Sequence, residues 1–288
     1  MKRRLVIPSV VVVVVVGLCF DGRSSVGLLA AERRWAQPDP FDHSYAAYGE
    51  LLREFTAPPL VDYARLKTQR DRLDRVVATF ATPAPAVERG WPRAQRMAFW
   101  INAYNALTLQ AIVNHYPIVG SWFSRGPRNS IRQIDGVWTK LRWRVAGRDL
   151  TLDDIEHRIL RPDFRDPRIH FAVNCASVSC PPLAAEPYRG VTLDAQLDTA
   201  ARRFFASGEG VQLVDGSLRV SSLLKWYGGD FVEQFAPAIA GSRTPVDRAV
   251  LGALVRYAPA AVADVARSYT GTIRFLDYNW ALNDREIG

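Results

Sequence analysis

The chain has 288 residues, of which 48% are hydrophobic and 23% are charged, and its formal net charge is +8. These values are typical of a globular chain with enough apolar residues for one large or two small cores, and they exclude a disordered chain. The arginines are scattered among acidic residues, without a dense basic run interleaved with aromatic residues, which argues against nucleic-acid binding. A mild attraction to an anionic surface or polymer is compatible with the charge.

The N-terminal segment has the pattern of an export signal. Three basic residues at positions 2–4 precede an apolar stretch over 5–20, which is the order found in signal peptides. The stretch is shorter than the ~18–20 residues that span a bilayer. Small residues occur near position 30, but the leucines before them fit a cleavage site poorly, so an uncleaved membrane anchor is the alternative.

The leader divides the chain into three predicted parts. Residues 1–31 are predicted to be a signal peptide or an N-terminal membrane anchor, 32–44 a linker, and 45–288 a single domain. The predicted location is therefore periplasmic or secreted, with membrane contact only through the N-terminal segment.

The first half of this domain is predicted to be helical. The apolar spacing and the prolines predict, in order, a helix over 45–55, a helix over 61–80 and a loop over 82–92. Residues 93–115 give the strongest helix prediction, because apolar side chains nearly surround it, as in a helix buried at the centre of a domain. Asn102 and Asn105 share one face of that helix. Buried amides need hydrogen-bond partners, so the two either line a site or brace a neighbouring loop.

The second half is predicted to mix strands with helices. The predicted elements are a strand over 137–145 that turns near Gly147 into a second short strand, a helix capped by Thr151, a strand over 169–173, a helix over 193–205, a hairpin of 211–214 and 218–221 around Asp215-Gly216, helices over 230–235 and 245–257, and a last strand over 273–278. Helices first and mixed elements later predict an α+β fold. We expect a single mixed domain with a buried central helix and a small, mainly antiparallel sheet.

The densest group of reactive side chains lies between positions 168 and 181. His170 falls on the predicted strand and Cys175 at its end, where a rigid scaffold leads into an exposed loop. A cysteine acts as a nucleophile only as a thiolate, which needs a neighbouring base or cation. We predict Cys175 as the nucleophile, His170 as its base and Glu156 as the residue that orients the imidazole.

Two further residues complete this hypothesis, and one geometric condition limits it. Asn102 or Asn105 would donate a hydrogen bond to the developing oxyanion. His170 and Cys175 are separated by an odd number of residues, so on one strand they would face opposite sides unless the chain bends at Asn174. His157 is the competing base, and His115 is a weaker third.

The two cysteines beyond the leader allow other interpretations. Cys175 and Cys180 form a local disulfide, act as working thiols, or are inert buried thiols. A metal site would draw on these cysteines with Glu156, His157 and His170, but the spacing matches no common zinc signature. The sequence also has no dinucleotide motif, phosphate-binding loop, zinc-peptidase motif or G-x-S-x-G elbow, so it implies no cofactor.

Four stretches together resemble a known family. They are AFWINAYNAL at 98–107, LTLDDIEHRIL at 150–160, DPRIHFAVNCASVSCP at 166–181 and FLDYNWALN at 275–283. They are similar to the uncharacterised family catalogued as domain of unknown function 547, over roughly residues 90–230. That family has no settled activity, so the resemblance implies a domain rather than a reaction.

The resemblance also raises a fold expectation, a relation to papain-like or transglutaminase-like folds. Those folds pair a Cys on a central buried helix with a His on a strand. Here the buried helix carries Asn102 and Asn105 instead, and the Cys comes later in the chain.

Two functions follow as hypotheses. The first is an exported thiol-dependent hydrolase or acyl transferase of the cell envelope. The alternative is a non-catalytic envelope binding or scaffold domain with a Cys175–Cys180 disulfide. Either would act on a small-molecule, peptide or envelope-polymer ligand that the sequence does not name.

Overall fold

The computed structural model describes residues 41–121, 123 and 126–285. The predicted signal peptide or anchor over 1–31 and most of the predicted linker lie outside the described residues. Phe41, at the start of the described part, is buried against Phe99 and Trp91. Among the described residues, no helix is long and apolar enough to cross a membrane.

The first half is helical, as predicted. Its elements are α1 (Ala46–Phe55), β1 (Thr56–Ala57), β2 (Leu60–Val61), α2 (Tyr63–Thr68), α3 (Arg70–Thr79), α4 (Pro85–Gly90) and α5 (Arg93–His115). The predicted helix over 61–80 is divided at Gln69 into α2 and α3. The predicted loop over 82–92 contains α4 instead, because Pro85 occupies the first helical turn, where its missing N–H costs nothing.

Helix α5 has the predicted bounds and is the buried centre of the domain. Trp100 and Ile101 are fully buried, and Tyr104 is almost so. Pro117 follows the helix and lacks the N–H that would continue the hydrogen-bond ladder, so the chain leaves the helix at Tyr116 in an extended conformation.

The second half mixes short strands with helices. Its elements are β3 (Trp143–Val145), β4 (Arg148–Leu150), α6 (Leu152–Ile155), a π-helical turn (Glu156–Leu160), α7 (Arg161–Phe164), α8 (Leu193–Ala206), β5 (Val211–Val214), β6 (Ser217–Val220), α9 (Ser222–Tyr227), α10 (Val232–Phe235), α11 (Pro245–Tyr257), α12 (Ala260–Arg267) and β7 (Arg274–Phe275). The β1–β2, β3–β4 and β5–β6 pairs are antiparallel, and β7 is parallel to β6. The α+β prediction is confirmed, with several small sheets in place of one.

The capping and hairpin predictions are confirmed. Thr151 accepts a hydrogen bond from the Asp154 backbone N–H, while the Asp154 carboxylate accepts one from the Thr151 N–H. Asp215 and Gly216 both have positive φ values, 49° and 72°, as a tight turn between β5 and β6 requires.

The strand predicted over 169–173 is wrong. Residues Pro167–Phe171 form a 3₁₀ helix instead. The Asp166 side chain accepts from the Arg168 N–H and caps this turn, and Pro167 fits its first position. Ile, Phe and Val favour a strand locally, but this capped start outweighs their preference.

Two other strands are shorter than predicted. In the 137–145 run only Trp143–Val145 is a strand, because Gly136, with φ 60°, starts a turn in which its carbonyl accepts from the Lys140 N–H. In the 273–278 run only Arg274–Phe275 pairs with β6. Helices α9 and α12 were not predicted.

Two hydrophobic clusters form the core. The first surrounds α5, and the second surrounds α11 with α8 and the β5–β6 hairpin. The 3₁₀ turn joins them, because Ile169 packs into the first cluster and Phe171 into the second. His170 lies between these two residues, at the junction of the clusters.

Candidate active site

A pocket of about 250 Å³ opens where the two clusters meet. His170 comes from the 3₁₀ turn, Cys175 from the loop after it, and Glu156 from the π-helical turn. A π turn of this kind is frequent at functional sites. The structure therefore brings together three of the five predicted site residues.

The loop that carries Cys175 is fixed by one buried side chain. The Asn174 backbone N–H donates to Asn105 Oδ1 at 2.8 Å, and the Asn174 side-chain nitrogen donates to the Pro181 carbonyl at 2.8 Å. Its side-chain oxygen accepts from the Ala176 N–H at 2.9 Å, and Ala176 has a φ of 57°. The chain thus bends at Asn174, which is the condition that the sequence set for Cys175 and His170 to meet.

The Cys175 thiol lies beside two hydroxyl groups. Its Sγ lies 3.2 Å from Ser177 Oγ and 3.3 Å from the Tyr278 hydroxyl. The hydrogen bond from the Cys180 thiol is the main cause that lowers the pKa of Cys175, burial opposes it, and Ser177 and Tyr278 lower it further. The site thus favours a thiolate on Cys175.

Cys180 has the opposite character. Burial is the main cause that raises the pKa of its thiol well above the usual range. Its Sγ accepts the Cys175 backbone N–H at 2.8 Å, and both residues are free cysteines in this structure. The pair therefore consists of one nucleophile candidate and one buried donor.

His170 is held by a carboxylate that the sequence did not predict. Its Nε2 lies 2.7 Å from Asp230 Oδ2, and its ring stacks on Tyr227 with centroids 4.1 Å apart. Arg161 donates two bonds to Asp230, at 2.7 and 2.9 Å. Burial raises the pKa of Asp230, but the hydrogen bonds from His170 and Arg161 outweigh it and hold that pKa well below its usual range. An ionised Asp230 fixes the proton on Nε2, so Nδ1 is the basic nitrogen of the neutral ring.

Glu156 does not have the predicted orienting role. It accepts a hydrogen bond from the Tyr227 hydroxyl, and its carboxylate lies 4.0 Å from His157 Nδ1. Asp230 reaches His170 because the short turn after α9 points its carboxylate at the ring. Glu156 stays a wall residue of the pocket.

The two asparagines brace loops and lie outside the pocket wall. Asn102 Nδ2 donates to the Tyr188 carbonyl at 2.7 Å, and its Oδ1 accepts from the Tyr188 N–H at 2.9 Å. Asn105 makes the same pair of bonds, to the Ala172 carbonyl at 2.9 Å and from the Asn174 N–H. The structure thus favours the bracing alternative over the predicted oxyanion donors, because these backbone groups occupy both amides.

Sequence reasoning missed several residues of the pocket. They are Trp226, Tyr227, Tyr278 and Trp280, which line it, and Asp230, which binds the lining residue His170. Tyr278 and Trp280 belong to the fourth stretch quoted above, which was a usable signal for a C-terminal contribution to the site. Among the described residues, no group of three or more His, Cys, Asp or Glu is placed to hold a metal ion.

Comparison with known proteins finds a family model that matches part of the chain. The model of the family described as "Protein of unknown function, DUF547" matches residues 89–205 and assigns this stretch to that family, as the quoted motifs predicted. No curated protein and no solved structure matches the chain, so the expected papain-like or transglutaminase-like relation is not confirmed. The matched stretch contains Cys175 and His170, whereas Asp230 and Tyr278 come from the chain beyond it.

Proposed function

We propose that the protein is a thiol-dependent acyl-transfer enzyme, a hydrolase or an acyl transferase. The observation that carries the proposal is the placement of Cys175, whose sulfur lies 3.3 Å from the Tyr278 hydroxyl in a pocket that it shares with His170, the partner of Asp230. A polarised thiol, a base and a carboxylate that orients the base are the parts that nucleophilic catalysis by cysteine requires.

The reaction runs in two steps. His170 Nδ1 first takes the proton of the Cys175 thiol, and the sulfur attacks the carbonyl carbon of the substrate. As the carbon–leaving-group bond breaks, Nδ1 passes that proton to the leaving group. Water or another acceptor then loses a proton to His170 and attacks the thioester, which releases the product acyl group and restores the thiolate. Asp230 stays ionised and stabilises the charged imidazole while it forms.

We also propose that this chemistry takes place in the periplasm or outside the cell. The support is the basic and apolar leader over positions 2–20. In an oxidising compartment Cys175 and Cys180 can form a disulfide, which would remove the nucleophile. The proposal therefore requires both residues to be free thiols.

The test is therefore thiol mapping on protein purified from the exported fraction. Iodoacetamide is applied between pH 6 and 9, before and after reduction, and peptide mapping assigns each label. Cys175 should react faster at neutral pH than an ordinary thiol, since hydrogen bonds stabilise its thiolate, while buried Cys180 should react slowly. If neither cysteine reacts until the protein is reduced, the enzyme proposal fails and the disulfide-linked binding domain replaces it.

A second measurement tests the chemistry itself. 4-Nitrophenyl acetate should acetylate Cys175 in the wild-type protein and leave Cys175→Ser unmodified at that position. Asp230→Asn should slow acetylation by about 10²-fold or more, because the base loses its orientation, while iodoacetamide still labels Cys175. Equal acetylation of the wild-type and Cys175→Ser proteins contradicts the proposal.

A further inference from the structure

One wall of the pocket is aromatic and reaches the surface. The Tyr278 ring centroid lies 4.9 Å from that of Trp226 and 4.5 Å from that of Trp280. Trp226 and Trp280 stack at 24° with centroids 5.9 Å apart. Trp226 is 48% exposed, and an exposed aromatic cluster at a pocket is typical of a ligand-binding surface. We call these three residues the aromatic wall.

The pocket also has an acidic end. Asp153 and Glu156 come from adjoining turns, α6 and the π-helical turn, and both line the pocket. Burial is the main cause that raises the pKa of Asp153, His157 opposes this, and Glu156 raises it further. Two carboxylates that crowd each other in a half-buried site are stabilised by a cation between or beside them.

One arginine lies beside this end of the pocket. Arg161 directs its guanidinium to Asp230 in a two-bond pair and also attracts Glu156. His157 Nε2 lies 3.8 Å from Asp153 Oδ1, and its Nδ1 is 3.2 Å from Arg161 Nη1. The three carboxylates Asp153, Glu156 and Asp230 thus outnumber one arginine and one histidine, so this end of the pocket stays negative.

An aromatic surface and an excess of carboxylates in one pocket favour an organic cation. Aromatic faces attract ammonium groups, and desolvation strengthens the attraction. A carboxylate adds a charge-assisted hydrogen bond. An anionic group would meet repulsion from both carboxylates, and a neutral one would gain from the aromatic wall alone.

We propose that the acyl group bound in this pocket carries a protonated amine, so that the substrates are aminoacyl esters or amides. The inference rests on the proposed function, since it names the substrate of the Cys175 site. Asp153 and Glu156 hold the ammonium group, and the aromatic wall packs against the carbon chain.

The kinetic test compares two esters of equal size. The 4-nitrophenyl esters of 3-aminopropanoic and butanoic acid differ only in an ammonium group in place of a methyl group. Each kcat/KM is divided by the rate of the same ester with free N-acetylcysteine, which removes the difference in intrinsic reactivity. The amine ester should be preferred about tenfold or more, the amount that a hydrogen bond to a charged group supplies.

Two variants show whether the acidic end causes this preference. Asp153→Asn should reduce the normalised preference toward one. Asp149→Asn, at an exposed carboxylate on β4 that pairs with Arg144, should leave it unchanged. Equal normalised rates for the two esters in the wild-type enzyme overturn the inference while the acyl-transfer proposal stands.

A binding measurement on Cys175→Ala protein separates the inference from the chemistry. Quenching of tryptophan fluorescence reports on Trp226 and Trp280 as 3-phenylpropylammonium or neutral 3-phenylpropan-1-ol is added. Tighter binding of the ammonium compound shows that the pocket recognises an ammonium group, whether or not an ester acylates Cys175. Equal affinity for the two compounds, or absence of binding by both, overturns it.

Discussion

Cys175 and Cys180 lie five positions apart, and their environments give them different chemistry. The Cys175 sulfur is part of the pocket wall and lies within hydrogen-bond distance of the Tyr278 and Ser177 hydroxyls. Cys180 is 5% exposed, and burial raises its pKa. In this arrangement Cys180 supports the thiolate as a donor, and it is the largest single cause of the lowered pKa of Cys175.

Replacement of Cys180 by alanine should therefore slow the alkylation of Cys175. Cys180→Ala removes the donor, so the pKa of Cys175 rises and less thiolate is present. A hydrogen bond of about 1 kcal/mol corresponds to a roughly fivefold loss in the iodoacetamide rate of Cys175 at pH 6.5. The measurement is stopped-flow or mass-resolved alkylation with Cys175→Ser as the background.

Cys180→Ser is the matched control, because its hydroxyl keeps a donor at the same place. Its Cys175 alkylation rate should stay close to that of the wild-type protein. If Cys180→Ala and Cys180→Ser slow the alkylation of Cys175 equally, packing and not hydrogen bonding controls the reactivity of the Cys175 thiol.

Single residues were predictable from sequence where reactive groups were close along the chain. Cys175 and His170 share one short stretch, so the sequence itself placed them together. Asp230 lies 60 residues beyond His170, and many carboxylates are available at that range. Only the tertiary fold selects among them, which is why Glu156, nearer along the chain, was assigned the role in error.

Helix α5 lines the pocket with Tyr104 and supports the site through two asparagines that lie outside the pocket wall. Asn105 bonds to Ala172 and Asn174, the backbone immediately before Cys175. Asn102, three residues earlier, makes an equivalent pair of bonds with Tyr188 on a different segment. The two asparagines of α5 thus make matching pairs of hydrogen bonds, and the pair made by Asn105 holds the backbone just before Cys175.

Asn105→Ala and Asn102→Ala should have similar stabilities and different activities. Each leaves one buried backbone donor and one acceptor without a partner, so each should lower the free energy of unfolding by about 2–4 kcal/mol in urea titrations. Asn105→Ala should also slow Cys175 acetylation more than tenfold, whereas Asn102→Ala should change it less than twofold. Equal losses of activity would show that general stability, and not the position of the loop, sets the rate.

A partial replacement protects this test if Asn105→Ala does not fold. Asn105→Asp keeps the oxygen that accepts the Asn174 N–H and loses the donor to Ala172. In the fraction of each variant that folds, Asn105→Asp should retain more Cys175 reactivity than Asn105→Ala.

Elements were predictable where local pattern and tertiary burial agree. Helix α5 has the predicted bounds because its residues are apolar on nearly all sides and its environment is the core. The run at 169–173 has strand-forming residues, but Asp166 and Pro167 start a 3₁₀ turn that divides Ile169 and Phe171 between two clusters. The sequence does not show that division, since it depends on α8 and α11.

At the scale of the whole molecule, ion pairs cross the junction of the two hydrophobic clusters. Arg161, from the first half of the site, pairs with Asp230 beside Phe231 of the second cluster. Asp198 accepts bonds from Arg168 at 2.7 Å and from the Tyr257 hydroxyl at 2.9 Å. Through Asp198, these contacts link the 3₁₀ turn that carries His170 to α11.

The same carboxylates should make the folded state sensitive to acid. Burial raises the pKa of Asp198, but hydrogen bonds from Arg168 and Tyr257 outweigh it and lower that pKa. Burial also raises the pKa of Asp230, and hydrogen bonds from His170 and Arg161 lower it further than burial raises it. A carboxyl whose folded pKa lies below its unfolded value of about 3.9 contributes stability that is fully present above that value. The contribution is lost as the pH falls through the folded pKa, because protons then bind the unfolded chain more tightly.

Urea unfolding at pH 7, 5, 4 and 3 should therefore show constant stability down to about pH 5 and a fall below it. Asp198→Asn should cost about 1–3 kcal/mol at pH 7, the value of hydrogen bonds to charged groups. It should also lose less further stability between pH 5 and 3 than the wild-type protein, since its side chain no longer takes up a proton. Asp264→Asn is the matched control, because its carboxylate is 75% exposed and pairs with Arg267, three residues away on α12. If Asp198→Asn and the wild-type protein fall equally steeply, the acid sensitivity comes from other carboxylates, and the ion pairs across the junction do not set it.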